Sequence, residues 1–252
     1  MAELQSADAI VDQKIDRLLD LAPVPELSPD LHRKISGAIA ASLQPVKPMP
    51  ATGVLAGQFA AIFLVFAAGL IAIMGVTGFR TLNAWQALGI LAILAVGVSL
   101  LALVLAWQIH PGSLQKISAK LSWAYFGVGF LTGAALLFPW RGVEAFVSRG
   151  WPCLLVGSAV AIPGGVLFWL LSRRGVPLSA GTFGSTLGAI AGLLGLTVLQ
   201  FRCPYQDAAH LLVWHGGVLA LSITAGVLVA LAIETSRERA TNRSKITMVK
   251  AE

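Results

Sequence analysis

Phe201-Arg-Cys-Pro-Tyr-Gln-Asp-Ala-Ala-His-Leu-Leu-Val-Trp-His215 is the polar break between two long apolar runs, Leu178–Phe201 and His210–Glu234. If it is a short turn between two membrane helices, the whole chain becomes a polytopic bundle. Composition supports that reading. The 252 residues are 56% hydrophobic and only 12% charged, with a mean hydropathy of +0.79. A soluble domain carries about 25% charged residues. Four further runs lie upstream, near Val54–Gly78, Asn83–Gln108, Leu121–Trp140 and Trp151–Leu171. Each approaches the roughly 20 residues that a helix needs to cross a bilayer. The expected fold is therefore all-α. Residues 1–50 form a short helical region, residues 51–236 a bundle of six transmembrane helices, and residues 237–252 a basic tail.

Lys and Arg set the orientation. With the N-terminus inside, twelve of them flank the inner ends of the spans. Only Arg80, Arg141, Arg149 and Arg202 flank the outer ends, while Lys14 and Arg17 lie far out on the tail. Both termini are expected in the cytoplasm of a bacterial inner-membrane protein. Six of the seven tryptophans fall near span ends, as interfacial residues do, and Trp214 sits a turn inside. The first fifty residues are too polar to contain a cleaved signal peptide. The net charge of +6 is spread beside the spans rather than gathered in one patch, so no direct nucleic-acid binding is expected.

The N-terminal region shows two helical patterns. In the first, near Ala7–Leu21, Val11, Ile15, Leu18 and Leu19 form an apolar stripe opposite Asp12, Asp16 and Asp20. The second opens at Ser28-Pro29-Asp30, a cap, a first-turn proline and a first-turn acid. Leu31, Ile35, Ile39 and Leu43 then share one face. Fifty residues are too few to bury both stripes in a domain of their own. They pack on each other, lie on lipid or dock onto a partner protein. The acidic face suits an anionic membrane poorly and favours the partner.

Within the spans, Gly184, Gly188 and Gly192 recur every fourth residue, a spacing that lets helices approach closely. Pro163-Gly164-Gly165 interrupts the fourth run and reads equally as a hinge or as a kink absorbed by packing. The remaining chemistry gathers on the outer side. Cys153 opens the fourth span, Cys203 lies in the loop after the fifth, and His210 opens the sixth. His215, five residues on, falls on a different side of an α-helix from His210. Asp207 reads as a solvated loop acid. Three chemistries compete for the cysteines: a structural disulfide, a redox-sensitive pair, and a Cys–Cys–His metal site. The spacing matches no tight metal motif, which places the third last. Trp214, His210 and His215 are then supporting residues or ligands. No resident cofactor is expected; a heavy-metal ion bound transiently at Cys153 and Cys203 is the one exception.

The Leu43-Gln-Pro-Val-Lys-Pro48 linker, the six runs, Cys153, the Cys203-Pro204 step, His210 and Trp214-His215 together resemble the NrsF-type family of negative regulators of sigma-F. That resemblance implies a non-enzymatic, membrane-bound anti-sigma factor. It would hold an extracytoplasmic-function sigma factor and release it under metal or oxidative stress. It assigns Cys153 and Cys203 as sensors and the N-terminal tail as the sigma-binding segment. Two other functions fit six apolar helices. A transporter or channel would show ionisable groups inside spans or paired broken helices, and only Gln58 and the single Pro-Gly-Gly break are present. A membrane redox protein would show a CxxC pair or facing histidines, and neither pattern occurs.

Overall fold

The computed structural model describes residues 28–42, 50–110, 119–140, 146–173, 175 and 179–249, and among them every regular element is helical. The chain divides into two units, residues 1–48 and 49–252. In the first unit the described element is α1, Pro29–Ser42. The cap signals are realised: the Leu31 N–H donates to Ser28 Oγ at 3.3 Å, and the His32 N–H to the Ser28 carbonyl. Leu31 and Ile35 are exposed on α1 (48% and 43%), with Ile39 on the same face. The expected helix carrying Val11, Ile15, Leu18 and Leu19, and the end of the second stripe at Leu43, lie outside the described residues.

The second unit is a helical bundle. Its elements are α2 (Thr52–Met74), α3 (Ala84–Ile109), α4 (Ala119–Leu137), α5 (Phe146–Ser172), α6 (Ala180–Arg202) and α7 (Gly216–Val249). A helical turn, Ala208–His210, and a π-helical turn, Leu211–His215, lead directly into α7. Five of these helices are long and apolar enough to cross a membrane: α2, α3, α5, α6 and the composite helix from Ala208. In α4 the described apolar stretch is the shorter Gly127–Leu137.

Helix ends follow local rules. Asn83 and Gln86 form a reciprocal capping box at the start of α3. Gly75 ends α2 with φ of 88°, a conformation that side-chain-bearing residues rarely adopt. Pro152 and Pro163 both lie inside α5, which continues through them to Ser172.

α6 is the central helix, and its residues 186–200 are all buried inside the bundle. Such burial requires small residues where neighbours cross. A Cβ on Gly188 would meet the Ser222 carbonyl, one on Gly184 the Gly226 carbonyl, and one on Gly192 the Leu219 Cα, all on α7. The four-residue glycine spacing is thus a close-packing face, as read from the sequence. Gly195 approaches the Gly157 carbonyl of α5 in the same way. Gly164 lies against Leu194, and Gly165 against Ala191. The Pro-Gly-Gly step therefore lets α5 pack closely on α6.

Candidate functional site

The site is built where α5, α6 and the start of the last helix meet at one end of the bundle. Cys153 lies two turns into α5, its sulfur 3.8 Å from the Arg149 carbonyl. Cys203 caps the C-terminus of α6. Pro204 disfavours helical geometry for the residue before it, and Cys203 accordingly turns extended, with φ −73° and ψ 123°. Its N–H still closes the last turn onto the Leu199 carbonyl at 2.7 Å.

Three further contacts hold the Cys203 loop. The Gly78 N–H donates to the Phe201 carbonyl (2.9 Å), the Thr77 hydroxyl to the Arg202 carbonyl (2.6 Å), and Gln206 Nε2 to the Cys203 carbonyl (2.8 Å). Phe79 stacks on Phe201 with ring centroids 4.7 Å apart. Gly78 lies so close that a Cβ there would collide with the Cys203 backbone. Gly78→Ala is therefore expected to displace Cys203 and slow Cys153–Cys203 crosslinking by an oxidant, read as gel mobility without reductant. An unchanged rate would mean that this contact does not position the sulfur.

Asp207 is not a merely solvated acid. Its carboxylate accepts the His210 N–H at 2.9 Å, and its carbonyl accepts the Leu211 N–H, so it is the N-cap of the last helix. The Ala208 N–H reaches the Pro139 carbonyl beyond α4 at 3.0 Å. These bonds set the angle at which His210 enters the bundle.

The π turn corrects the expectation for His215. On an α-helix, residues five apart lie about 140° around the axis from each other. Here the Gly216 N–H bonds the Leu211 carbonyl, five residues back. That wider turn returns residue i+5 to nearly the same face. The His210 and His215 rings face each other edge-on, centroids 5.3 Å apart. Gly216-Gly217 directly after the turn was the available sequence signal, because glycine pairs accompany local departures from α geometry.

The four side chains converge. The Cys153 and Cys203 sulfurs are 3.3 Å apart, and His210 Nε2 is 3.4 Å from Cys203 Sγ. One donor atom from each of Cys153, Cys203, His210 and His215 lies within 4.8 Å of the others. Cys203, His210 and His215 are buried, and Cys153 is half-buried. The hydrogen bond with the Cys153 thiol, then burial, raises the Cys203 pKa above its usual range, while His210 and His215 act in the opposite sense.

Trp214 points elsewhere. Its ring lies against Gly150 and 5.4 Å from the Phe146 ring, on the α5 turns that precede Cys153. It supports α5 rather than offering a ligand. Tyr205 lies between Arg149, 5.2 Å above its ring, and the His210 ring at 5.8 Å. Neither Tyr205 nor Arg149 stood out in the sequence, because an aromatic and a cation near a membrane surface are ordinary there.

The family model for NrsF, negative regulator of sigma F, matches residues 39–233, well over half of the chain. The chain belongs to the NrsF family. No curated protein and no solved structure matches it. The family description is that of a regulator, and it implies a sigma factor as the partner. In this NrsF-family chain the matched range contains the whole Cys–Cys–His–His cluster and the glycine face of α6. It begins at Ile39, so Leu31 and Ile35 precede it.

Proposed function

We propose that this chain is a membrane-bound anti-sigma factor of the bacterial inner membrane, with six spans and both termini in the cytoplasm. It holds an extracytoplasmic-function sigma factor through its N-terminal tail. It releases that factor when Cys153 and Cys203, on the periplasmic side, are oxidised or bound by a thiol-seeking metal. Family membership supports the negative regulation, and the Lys and Arg distribution supports the orientation. In this arrangement α4, the third in chain order, completes the six spans.

The observation that carries the sensing half is the 3.3 Å approach of two sulfurs fifty residues apart in the chain. A disulfide requires them to close to about 2.05 Å. Forming that S–S bond releases two protons and passes two electrons to an external oxidant such as a peroxide, which is reduced. The periplasm permits such a bond to persist.

The cluster also sits where a small shift has leverage. At this end α5 and the last helix meet, Trp214 on Gly150 and Val218 on Gly157. Further along they flank a groove of about 1440 Å³ floored by α6, whose far end carries Arg173, Glu234 and Glu238. Drawing Cys153 toward Cys203 changes the splay of α5 against α7. At 1.5 Å per residue, the 34-residue α7 is about 51 Å long, against a hydrocarbon core of about 30 Å. A shift at its outer end thereby extends past the inner interface.

Co-purification of the full-length protein in detergent with the sigma factor encoded beside its gene tests the proposal. A complex from unstressed cells that dissociates after oxidant is expected; failure to recover any complex would defeat it. Leu31→Asp combined with Ile35→Asp places charges on the exposed α1 stripe. This pair is expected to weaken the complex at least about 30-fold, the effect of losing a 2 kcal/mol hot spot. Unaltered affinity would remove α1 from the interface.

A further inference from the structure

His215 is the polar group that a thiol pair alone leaves unexplained. It is 0% exposed, and neither ring nitrogen makes a hydrogen bond of good geometry, although the Cys203 thiol is near enough to interact with it. Burying an unpartnered polar group is costly, and an apolar residue of similar size would avoid that cost. The chain instead uses a π turn to bring this imidazole beside His210 and Cys203. Such turns concentrate at functional sites.

We infer that Cys153, Cys203, His210 and His215 form a closed four-coordinate site for a soft divalent cation of the zinc and cadmium class. The inference rests on the reading above only in taking the two cysteines as free thiols in the resting protein. The geometry fits. Tetrahedral bonds of about 2.3 Å to sulfur and 2.0–2.1 Å to nitrogen put two sulfurs roughly 3.8 Å apart and a sulfur and a nitrogen roughly 3.5 Å apart. The Cys203–His210 separation of 3.4 Å is close to its value, and the two sulfurs, at 3.3 Å, open by about 0.5 Å to admit the ion. All four donors fall within 4.8 Å, so closing the widest separations by about 1–1.5 Å completes the shell.

The donor chemistry selects the ion. Two sulfurs and two imidazoles suit zinc or cadmium and not magnesium or calcium, which take oxygen ligands. Four protein ligands leave no open position, so the site binds without catalysing. Charge also balances. The ion displaces two thiol protons, the histidines bind neutral, and two thiolates cancel the two positive charges. A neutral complex avoids burying net charge at the edge of the bilayer.

Metal binding and disulfide formation compete for the same sulfur lone pairs. The loaded protein is therefore predicted to resist oxidation, which makes the site a selector between two inputs. His210 and His215 act only in the metal branch.

The full-length protein, purified reduced and metal-free in detergent, is titrated with Co²⁺ as the spectroscopic probe and then with Cd²⁺. One ion per chain is expected, with the intense visible bands of tetrahedral Co²⁺ and a sulfur-to-cobalt charge-transfer band. His215→Ala and His210→Ala should each weaken Cd²⁺ binding at least about tenfold, since loss of even an outer-shell partner costs 10–100-fold. His215→Cys, which restores a ligand, should recover affinity and strengthen the charge-transfer band, separating ligation from folding. In the wild type, one equivalent of Cd²⁺ should slow peroxide-driven crosslinking of Cys153 and Cys203. Wild-type Cd²⁺ affinity in both alanine variants, or no tetrahedral spectrum in the wild type, would overturn the four-ligand site. In either case the thiol reading stands if peroxide still releases the sigma factor. That reading falls on a different result, namely unchanged release in a variant lacking both cysteines.

Discussion

Replacing Cys153 and Cys203 together by serine is expected to abolish the stress response while leaving basal repression in place. Transcription from the sigma factor's promoters should stay at the unstressed level in cells given cadmium or peroxide. Serine hydroxyls neither form a disulfide nor bind soft metals, so both inputs vanish at one step. Basal repression survives for a local reason. The cysteines lie at the meeting of α5 and α6, whereas the exposed stripe of α1 belongs to a separate unit of the chain. Holding the sigma factor therefore does not require the sulfurs. For peroxide, each single substitution should act like the double one, because one remaining sulfur has no partner thiol to bridge to. The check is reporter transcription together with protein level in the membrane fraction. A double variant that still responds fully would remove the cysteines from sensing, whatever the sigma factor does.

The second large effect is expected at Gly188. Substitution by valine puts a branched side chain where a Cβ alone meets the Ser222 carbonyl and the Ile223 Cα. Those atoms are backbone and cannot rotate away. Overpacking typically costs about 1–3 kcal/mol and more when the backbone must move. In a bundle held by close helix approach, separating α6 from α7 also loses the contacts at Gly184, Gly192 and Gly226. The variant should lose thermal stability in detergent, accumulate poorly in membranes and leave the sigma factor constitutively active. Gly181→Val is the matched control, because a Cβ at Gly181 meets nothing within 4 Å. If Gly188→Val melts with the wild type, the glycine face is not what holds these helices together.

Much of the architecture was legible because one physical requirement outweighs the others in a membrane helix. That requirement, exclusion of charge over about 20 residues, is a local property of the chain. It placed five helices that the structure shows as long and apolar enough to span. The glycine spacing on α6 was equally direct, since only close approach of a neighbour explains small residues at every fourth position. The Ser28 cap is local backbone chemistry, and it appears as its residues suggest. Other features were not legible. That α6 rather than any other helix is central depends on its packing against α2, α3, α5 and α7, which hydropathy does not rank.

The site divides along the same line. The residue types and their common end of the bundle came from sequence: two cysteines, two histidines, and spans that return the chain to one side. Whether the sulfurs meet is a question of separation between α5 and α6, and only packing through Gly157 and Gly195 answers it. Asp207 as a cap and His215 as a neighbour of His210 were misplaced by sequence, because each depends on backbone hydrogen bonding. A π turn differs from an α turn by one residue in its bonding partner, and hydrophobic periodicity over five residues does not resolve that difference. Apolar length and small-residue spacing are written along the chain, so sequence alone determined a set of apolar helices and a glycine face made for close packing. The four-donor cluster exists only where three helices converge, so tertiary structure alone decided it.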